Sequence, residues 1–243
     1  MWGSASKINM RSVILAEGEY YHVFNRGVEK RDIFLDTDDL SRFLEGVKKF
    51  QTSKPIGSLY ENRFLENKPS NVHATSLGSS APKLKTDTAP LIELVCYCLN
   101  PNHFHMILKQ SCKDGIQKYM HKIGTGYTNY FNEKYQRSGV LFQGPYRAVH
   151  IESNEQLLHT SVYVNLNNQL GSLAPKLSRA SWDEYVGDSR KVGFCLCNKG
   201  IILEQFKSAD AYASFARDCM IQIVERKEAE KEMRWLLGSS APK

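Results

Sequence analysis

His103 and His105 stand one residue apart in the stretch CYCLNPNHFHMILKQ, residues 96–110. On an extended strand, residues i and i+2 point to the same face, so the two imidazoles can address one ion while Phe104 faces the other side. Two ligands do not complete a site. Cys96 and Cys98 share a face by the same parity, and a tight hairpin would bring them near the histidines as a Cys2His2 zinc site. Free cysteine is also among the most buried residue types, so the same thiols suit core packing. A second source of groups is SNEQLLHTSVYVNLN, residues 153–167. At 3.6 residues per turn, Tyr163 and Asn167 lie on one helical face, with His159 a turn earlier. A tyrosine there can be ordinary amphipathic packing. Turned toward the histidine pair, the set becomes a phenolic nucleophile, a carboxamide oxygen as third ligand and two imidazoles. That combination suits phosphoryl transfer, with a metal as Lewis acid on the phosphate and covalent attack by tyrosine. A phenol of ordinary pKa about 10 needs such help near neutral pH.

The elements that must position these residues follow from periodicity. EYYHVFNRG (19–27) is rich in β-formers and closes on an Asn-Arg-Gly turn, which predicts a strand. TDDLSRFLEGVKKF (37–50) opens on a capping residue, and Leu40, Phe43, Leu44, Val47 and Phe50 recur at helical steps. Residues 51–90 are dominated by Ser, Pro, Asn, Gly and Lys without a period, and read as a flexible inserted loop. LIELVCYCL (91–99) and HFHMILKQ (103–110) are strands joined by the turn NPN. Residues 115–135 form a long helix with a kink expected at Gly124 and Gly126. YRAVHI (146–151) is a strand, and 153–167 a helix capped by Ser153 with Gln156 as its box partner. The first six elements of this β-α-β-β-α-β-α order are the split β-α-β arrangement. The expected class is therefore α+β and ferredoxin-like, an antiparallel sheet with helices on one side, plus an extra helix carrying Tyr163.

Residues 1–170 form one domain on this reading, and 171–243 a C-terminal helical appendage. In that appendage Tyr212, Phe215, Ala216, Cys219, Met220 and Ile223 fall on one stripe. LGSSAPK at 77–83 returns as LGSLAPK at 170–176 and as LGSSAPK at 237–243. Such copies are too short and proline-interrupted for a solenoid. They read as a short DNA element repeatedly inserted in frame.

Composition narrows the function classes. The chain has 243 residues, 42% of them apolar, enough for one domain with a full core. No apolar run is long enough to span a bilayer and no export signal can be traced, so six cysteines are expected reduced and the protein intracellular. Net charge is +6, compatible with nucleic acid without proving it. Residues 109–149 interleave Lys109, Lys113, Lys118, Lys122, Lys134, Arg137 and Arg147 with seven aromatic rings. That pattern serves equally a single-strand groove or a helix with a solvated basic face and an aromatic core face.

Four blocks in order, YHVFNRG, CLNPNHFHMIL, YTNYFNEKYQRSGVLFQGPYRAV and YVNLN, resemble the single-tyrosine HUH transposases, especially the REP-associated tyrosine transposase branch, over about residues 19–170. The resemblance implies a nuclease domain that acts on hairpin-forming single-stranded DNA, cuts one strand and leaves a 5′-phosphotyrosine and a free 3′-OH. It implies Mg²⁺ or Mn²⁺ as cofactor. By motif position His103 and His105 become metal ligands, Asn167 the third ligand and Tyr163 the nucleophile. Asn25, Arg26, Lys109, Arg137, Gln143 and Arg147 fall in or beside family-like blocks as DNA contacts. Tyr127 and Tyr130 compete for the nucleophile's role by type but not by position, and His159 reads as a bystander. The chain departs from the family where Asn168, in place of proline, follows Asn167. The expectation is a metal-dependent single-strand DNA endonuclease and strand transferase, a cytoplasmic, nucleoid-associated protein of prokaryotic type. The resemblance admits both a monomer and a homodimer. The competing readings are a non-catalytic single-strand binder and a zinc-stabilised DNA-binding regulator.

Overall fold

The YYHVFNR segment forms β1, Tyr20–Arg26, near the middle of an antiparallel sheet in which Tyr21 and Val23 point into the core and His22 and Phe24 to the opposite face. A computed structural model describes residues 13–53, 90–170, 177–187 and 195–236. The bulk of the 51–90 insertion and, Leu170 apart, the LGSSAPK-like copies lie outside the described residues.

β2 (Ile92–Asn100) and β3 (His103–Gln110) form the hairpin that carries the histidines, and β4 (Arg147–Ile151) closes the far side of β1. A two-residue β5 (Arg179–Ala180) adds to the outer edge of β2, giving the order β4-β1-β3-β2-β5. All neighbours are antiparallel. The first four strands have the ferredoxin-like order, and the fold is α+β as the element sequence predicts.

Two helices, α1 (Thr37–Lys49) and α2 (Gly115–Lys134), cover one face. Their contact with the sheet is aromatic: Phe43 of α1 lies 5.3 Å from Phe104 of β3 and 5.0 Å from Tyr127 of α2, centroid to centroid. α1 starts one residue earlier than its sequence suggests. Asp36, not Thr37, is the cap, its Oδ1 accepting the Asp39 N–H at 2.9 Å. α2 runs unbroken through Gly124 and Gly126, because the i→i−4 ladder tolerates glycine and no proline interrupts it. Gly126 takes the edge of the Phe50 ring instead.

The rings that residues 109–149 place on α2 are taken up by the core rather than by a groove. Tyr119, Tyr127 and Phe131 are core residues, and Lys134 binds Asp36 and the fully buried Asp39 at 2.7 and 2.8 Å. α2 is thus the helix with an aromatic core face.

The opposite face is covered by α3 (Asn154–Asn165). Ser153 caps it by accepting the Gln156 N–H at 3.1 Å, while the Gln156 side chain reaches the N–H of Glu152 rather than that of Ser153. The α-helix ends at Asn165, and Asn167–Gln169 turn as a 3₁₀ segment. Asn167 is therefore just beyond the helix, an end that proline after Asn167 would shape differently.

The later segments, α4 (Trp182–Val186), α5 (Gly200–Leu203) and α6 (Ala209–Leu236), pack behind α3. Tyr212 is fully buried, its hydroxyl 3.0 Å from Ser161 Oγ and accepting from Asn165 Nδ2 at 3.1 Å. Asn165 Oδ1 accepts in turn from Ser181 Oγ at 2.6 Å, and Ser181 Oγ accepts from the Tyr97 N–H at 2.8 Å. One satisfied chain of buried polar groups thus ties α6 through α3 to the middle of β2. Tyr212→Phe removes the acceptor of a buried amide and is expected to cost about 1–3 kcal/mol. Urea denaturation should show a lower midpoint with an unchanged slope, and an unchanged midpoint would mean that the network carries no stability.

Candidate active site

The β2–β3 turn is held from two sides. The carbonyl of Pro101 accepts from the N–H groups of Ile33 and Phe34, and that of Asn102 from Gly27 N–H at 2.8 Å. Gly27 is required at that approach, since a Cβ would stand 2.1 Å from the carbonyl oxygen of Arg31. With the turn pinned, strand parity places Phe104 in the α1–α2 core and His103 and His105 on the α3 face.

Tyr163 and Asn167 meet the histidines there. The Tyr163 ring lies 5.5 Å from that of His105, edge to face, and the His103 and His105 rings are 5.2 Å apart and nearly perpendicular. Asn167 Oδ1 is 3.3 Å from His103 Nε2. Burial raises the Tyr163 phenol above its ordinary pKa, and a hydrogen bond from Asn167 works against that rise. Asn167 therefore touches the phenol with one end of its amide and approaches His103 with the other. The four residues singled out by spacing converge on one place.

Their hydrogen bonding suits a cation. Asn102 donates Nδ2–H to the Lys30 carbonyl, so its oxygen faces His103, and His103 Nδ1 donates to it at 2.6 Å. His103 Nε2 is then an acceptor. Buried Asn100 aims its Nδ2 at that nitrogen, 3.1 Å away, and at Asn167 Oδ1, 2.9 Å away. The two N–H groups of that amide thus hold an imidazole nitrogen and a carboxamide oxygen side by side, and a divalent cation in its place would find both as ligands. The residues that could hold such an ion are His103, His105 and Asn167.

Cys98 stands across from His105 and Cys96 from Ile107, so the cysteines do share the histidine face. Both are fully buried, and burial drives the Cys96 thiol well up and that of Cys98 to about 12. Among the described residues, no three His, Cys, Asp or Glu side chains come together as a metal site. The Cys2His2 arrangement is therefore not assembled. A register that sets Cys96 against Ile107 puts that thiol in the core.

A cavity of about 420 Å³ opens beside the histidines, lined by Phe24, Asn25, Arg26, Lys30, Asn102, Gln143 and Arg147. Four of the residues expected at DNA are thus gathered: Arg26 pairs its Nε with Gln143 Oε1, Asn25 donates to the Gly144 carbonyl at 3.1 Å, and Arg147 sits opposite Phe24. Two are elsewhere. Lys109 lies six residues along β3, about 20 Å from His103 at strand rise, paired with Glu93 at 3.2 Å. Arg137 donates to Asn132 at 3.2 Å and covers the Phe131 ring. Tyr127 and Tyr130 lie on the other face of the sheet, bonded to the Ile33 carbonyl and to Asp39. His159 turns away toward Cys219 and Phe215.

Sequence reasoning passed over His22 and Asn100. His22 Nε2 is 2.9 Å from His105 Nδ1, and burial lowers its pKa to about 4, which keeps the ring neutral at neutral pH. The signal was the alternation of His22, Phe24 and Arg26 on β1, but only the β1–β3 register shows that they face the site.

The structure is thus an antiparallel ferredoxin-like sheet with two histidines on one strand and a tyrosine brought to them by a following helix. Residues 84–167 match the family described as IS200-like transposases, and over that span the chain is similar to them. A solved structure of a REP-associated tyrosine transposase bound to a REP hairpin is similar with a TM-score of 0.47 and 11% identity, over 78% of this chain and 90% of that one. None of the curated proteins matches significantly. No helix among the described residues is long and apolar enough to cross a membrane.

Proposed function

We propose that this protein is a metal-dependent single-strand DNA endonuclease and strand transferase acting on hairpin-forming repeat DNA, with Tyr163 as nucleophile. The observation that carries the reading is the convergence of His103, His105, Tyr163 and Asn167, supplied by a strand and by a helix end some sixty residues later. The similarity of residues 84–167 to IS200-like transposases supports the same chemistry.

Arg26 and Arg147, beside the cavity, bind backbone phosphates, and Phe24 offers a flat ring for a base. The Asn167 amide holds the Tyr163 hydroxyl toward the phosphate. Tyr163 Oη forms a bond to phosphorus as the P–O3′ bond breaks. The phenol gives up its proton, the departing 3′ oxygen gains one, and the 5′ side remains as a phosphotyrosine ester. A Mg²⁺ or Mn²⁺ ion held by His103, His105 and Asn167 would supply Lewis-acid polarisation of the scissile phosphate. A second single strand, through its 3′-OH, can reverse the step and be joined.

The test is to incubate the protein with Mn²⁺ and labelled hairpin oligonucleotides taken from its own genomic neighbourhood. A protein–DNA adduct that survives denaturation, and that does not form when a chelator is present from the start, is expected. Tight, steeply salt-dependent binding without any adduct would make the chain a non-catalytic single-strand binder instead.

A further inference from the structure

His105 is backed by a residue outside the His-x-His motif. The two histidines of the site are arranged alike: His103 gives its Nδ1–H to Asn102, which leaves Nε2 as the acceptor on the Asn167 side. At the same nitrogen of His105 the partner is Nε2 of His22, 2.9 Å away. The two ring planes differ by 21° and their centroids are 5.1 Å apart, so the imidazoles meet edge to edge, as an in-plane N–H···N bond requires. Only one proton fits between them. If His105 donates it, Nε2 of His105 keeps a lone pair. If His22 donates it, His105 carries its proton on Nε2 and cannot act as a ligand there.

We propose that His22 is a positioning residue: it accepts the Nδ1–H of His105 and so holds Nε2 of His105 as a divalent-cation ligand. Metal-bound histidines commonly donate their second ring N–H to such a partner, which sets both tautomer and ring angle. The His22 ring is itself fixed, packed 5.0 Å from Phe24 and 5.9 Å from Tyr163. Its place opposite Ile107 puts it one diagonal step from His105. The inference rests on the metal-dependent reading above.

Long-range ¹H–¹⁵N correlation spectra of the metal-free, histidine-labelled protein report the tautomer of His105 without metal or DNA. His105 should carry its proton on Nδ1, and in His22→Phe it should shift toward Nε2. Mn²⁺ titration followed by electron paramagnetic resonance should show about 10- to 100-fold weaker binding in His22→Phe. His22→Gln, whose Oε1 can accept the same proton, should recover most of that loss. An Nε2-protonated His105 in the wild-type protein, or equal Mn²⁺ affinity in wild type and His22→Phe, overturns the inference while leaving the metal reading intact. A wild-type protein that binds no Mn²⁺ removes the metal reading and this inference with it.

Discussion

Replacing Tyr163 by phenylalanine should leave a folded protein that keeps the proposed hairpin-DNA binding but forms no covalent adduct. The substitution removes one oxygen and keeps the ring that lies edge-on to His22 and His105 at 5.9 and 5.5 Å. Asn167 loses one hydrogen-bond partner at a half-buried position, a cost of about 1 kcal/mol. Arg26 and Arg147, the cations proposed to hold phosphates, lie on β1 and β4 and are untouched. What disappears is the only group in the cluster that can become a phosphotyrosine. A denaturing gel of labelled oligonucleotide with Mn²⁺ reads this directly. An adduct that persists in Tyr163→Phe would move the nucleophile elsewhere, and Tyr127 and Tyr130 are poor successors because both are engaged on the far face of the sheet.

Phe104→Ala should lower stability by about 3–5 kcal/mol, the range for deleting a buried aromatic. Phe104 is 1% exposed, and its ring lies 5.3 Å from Phe43 and 5.9 Å from Phe142. The cavity would open under the strand that carries His103 and His105, and against a domain stability of about 5–15 kcal/mol such a loss is severe. Urea denaturation is the measurement. Phe104→Leu fills most of the volume and should lose far less, so it also serves where the alanine variant does not fold. A loss below about 1 kcal/mol in Phe104→Ala would contradict the close packing seen between β3 and α1. The middle residue of His-x-His is thus a core anchor, and the histidines are aimed from beneath by it.

Much of the fold was legible because its signals are local. The strand His103–Gln110 and the helix Gly115–Lys134 appear with the bounds that alternation and length suggest, to within a residue. Parity alone puts His103 and His105 together and Phe104 opposite. Where local signals competed, packing decided. The rings of Tyr119, Tyr127 and Phe131 had equal claim to a DNA groove, but α2 buries them against the sheet. Asp36 takes the cap from Thr37 because its carboxylate reaches the Asp39 N–H and also pairs with Lys134, nearly a hundred residues away in the chain.

The sequence by itself determined which residue types could do phosphoryl transfer, and that two imidazoles would share one strand face. It also indicated that a tyrosine and an asparagine would sit a turn apart. Only the tertiary structure decided that the two pairs meet, because α3 crosses the histidine face rather than the face of α1 and α2. Strand register decided the rest. It sets Cys98 across from His105 as a buried thiol, and it brings His22 of β1 within 2.9 Å of His105 Nδ1. Register depends on pairings between segments some eighty residues apart, and a one-residue slip would send every side chain to the other face.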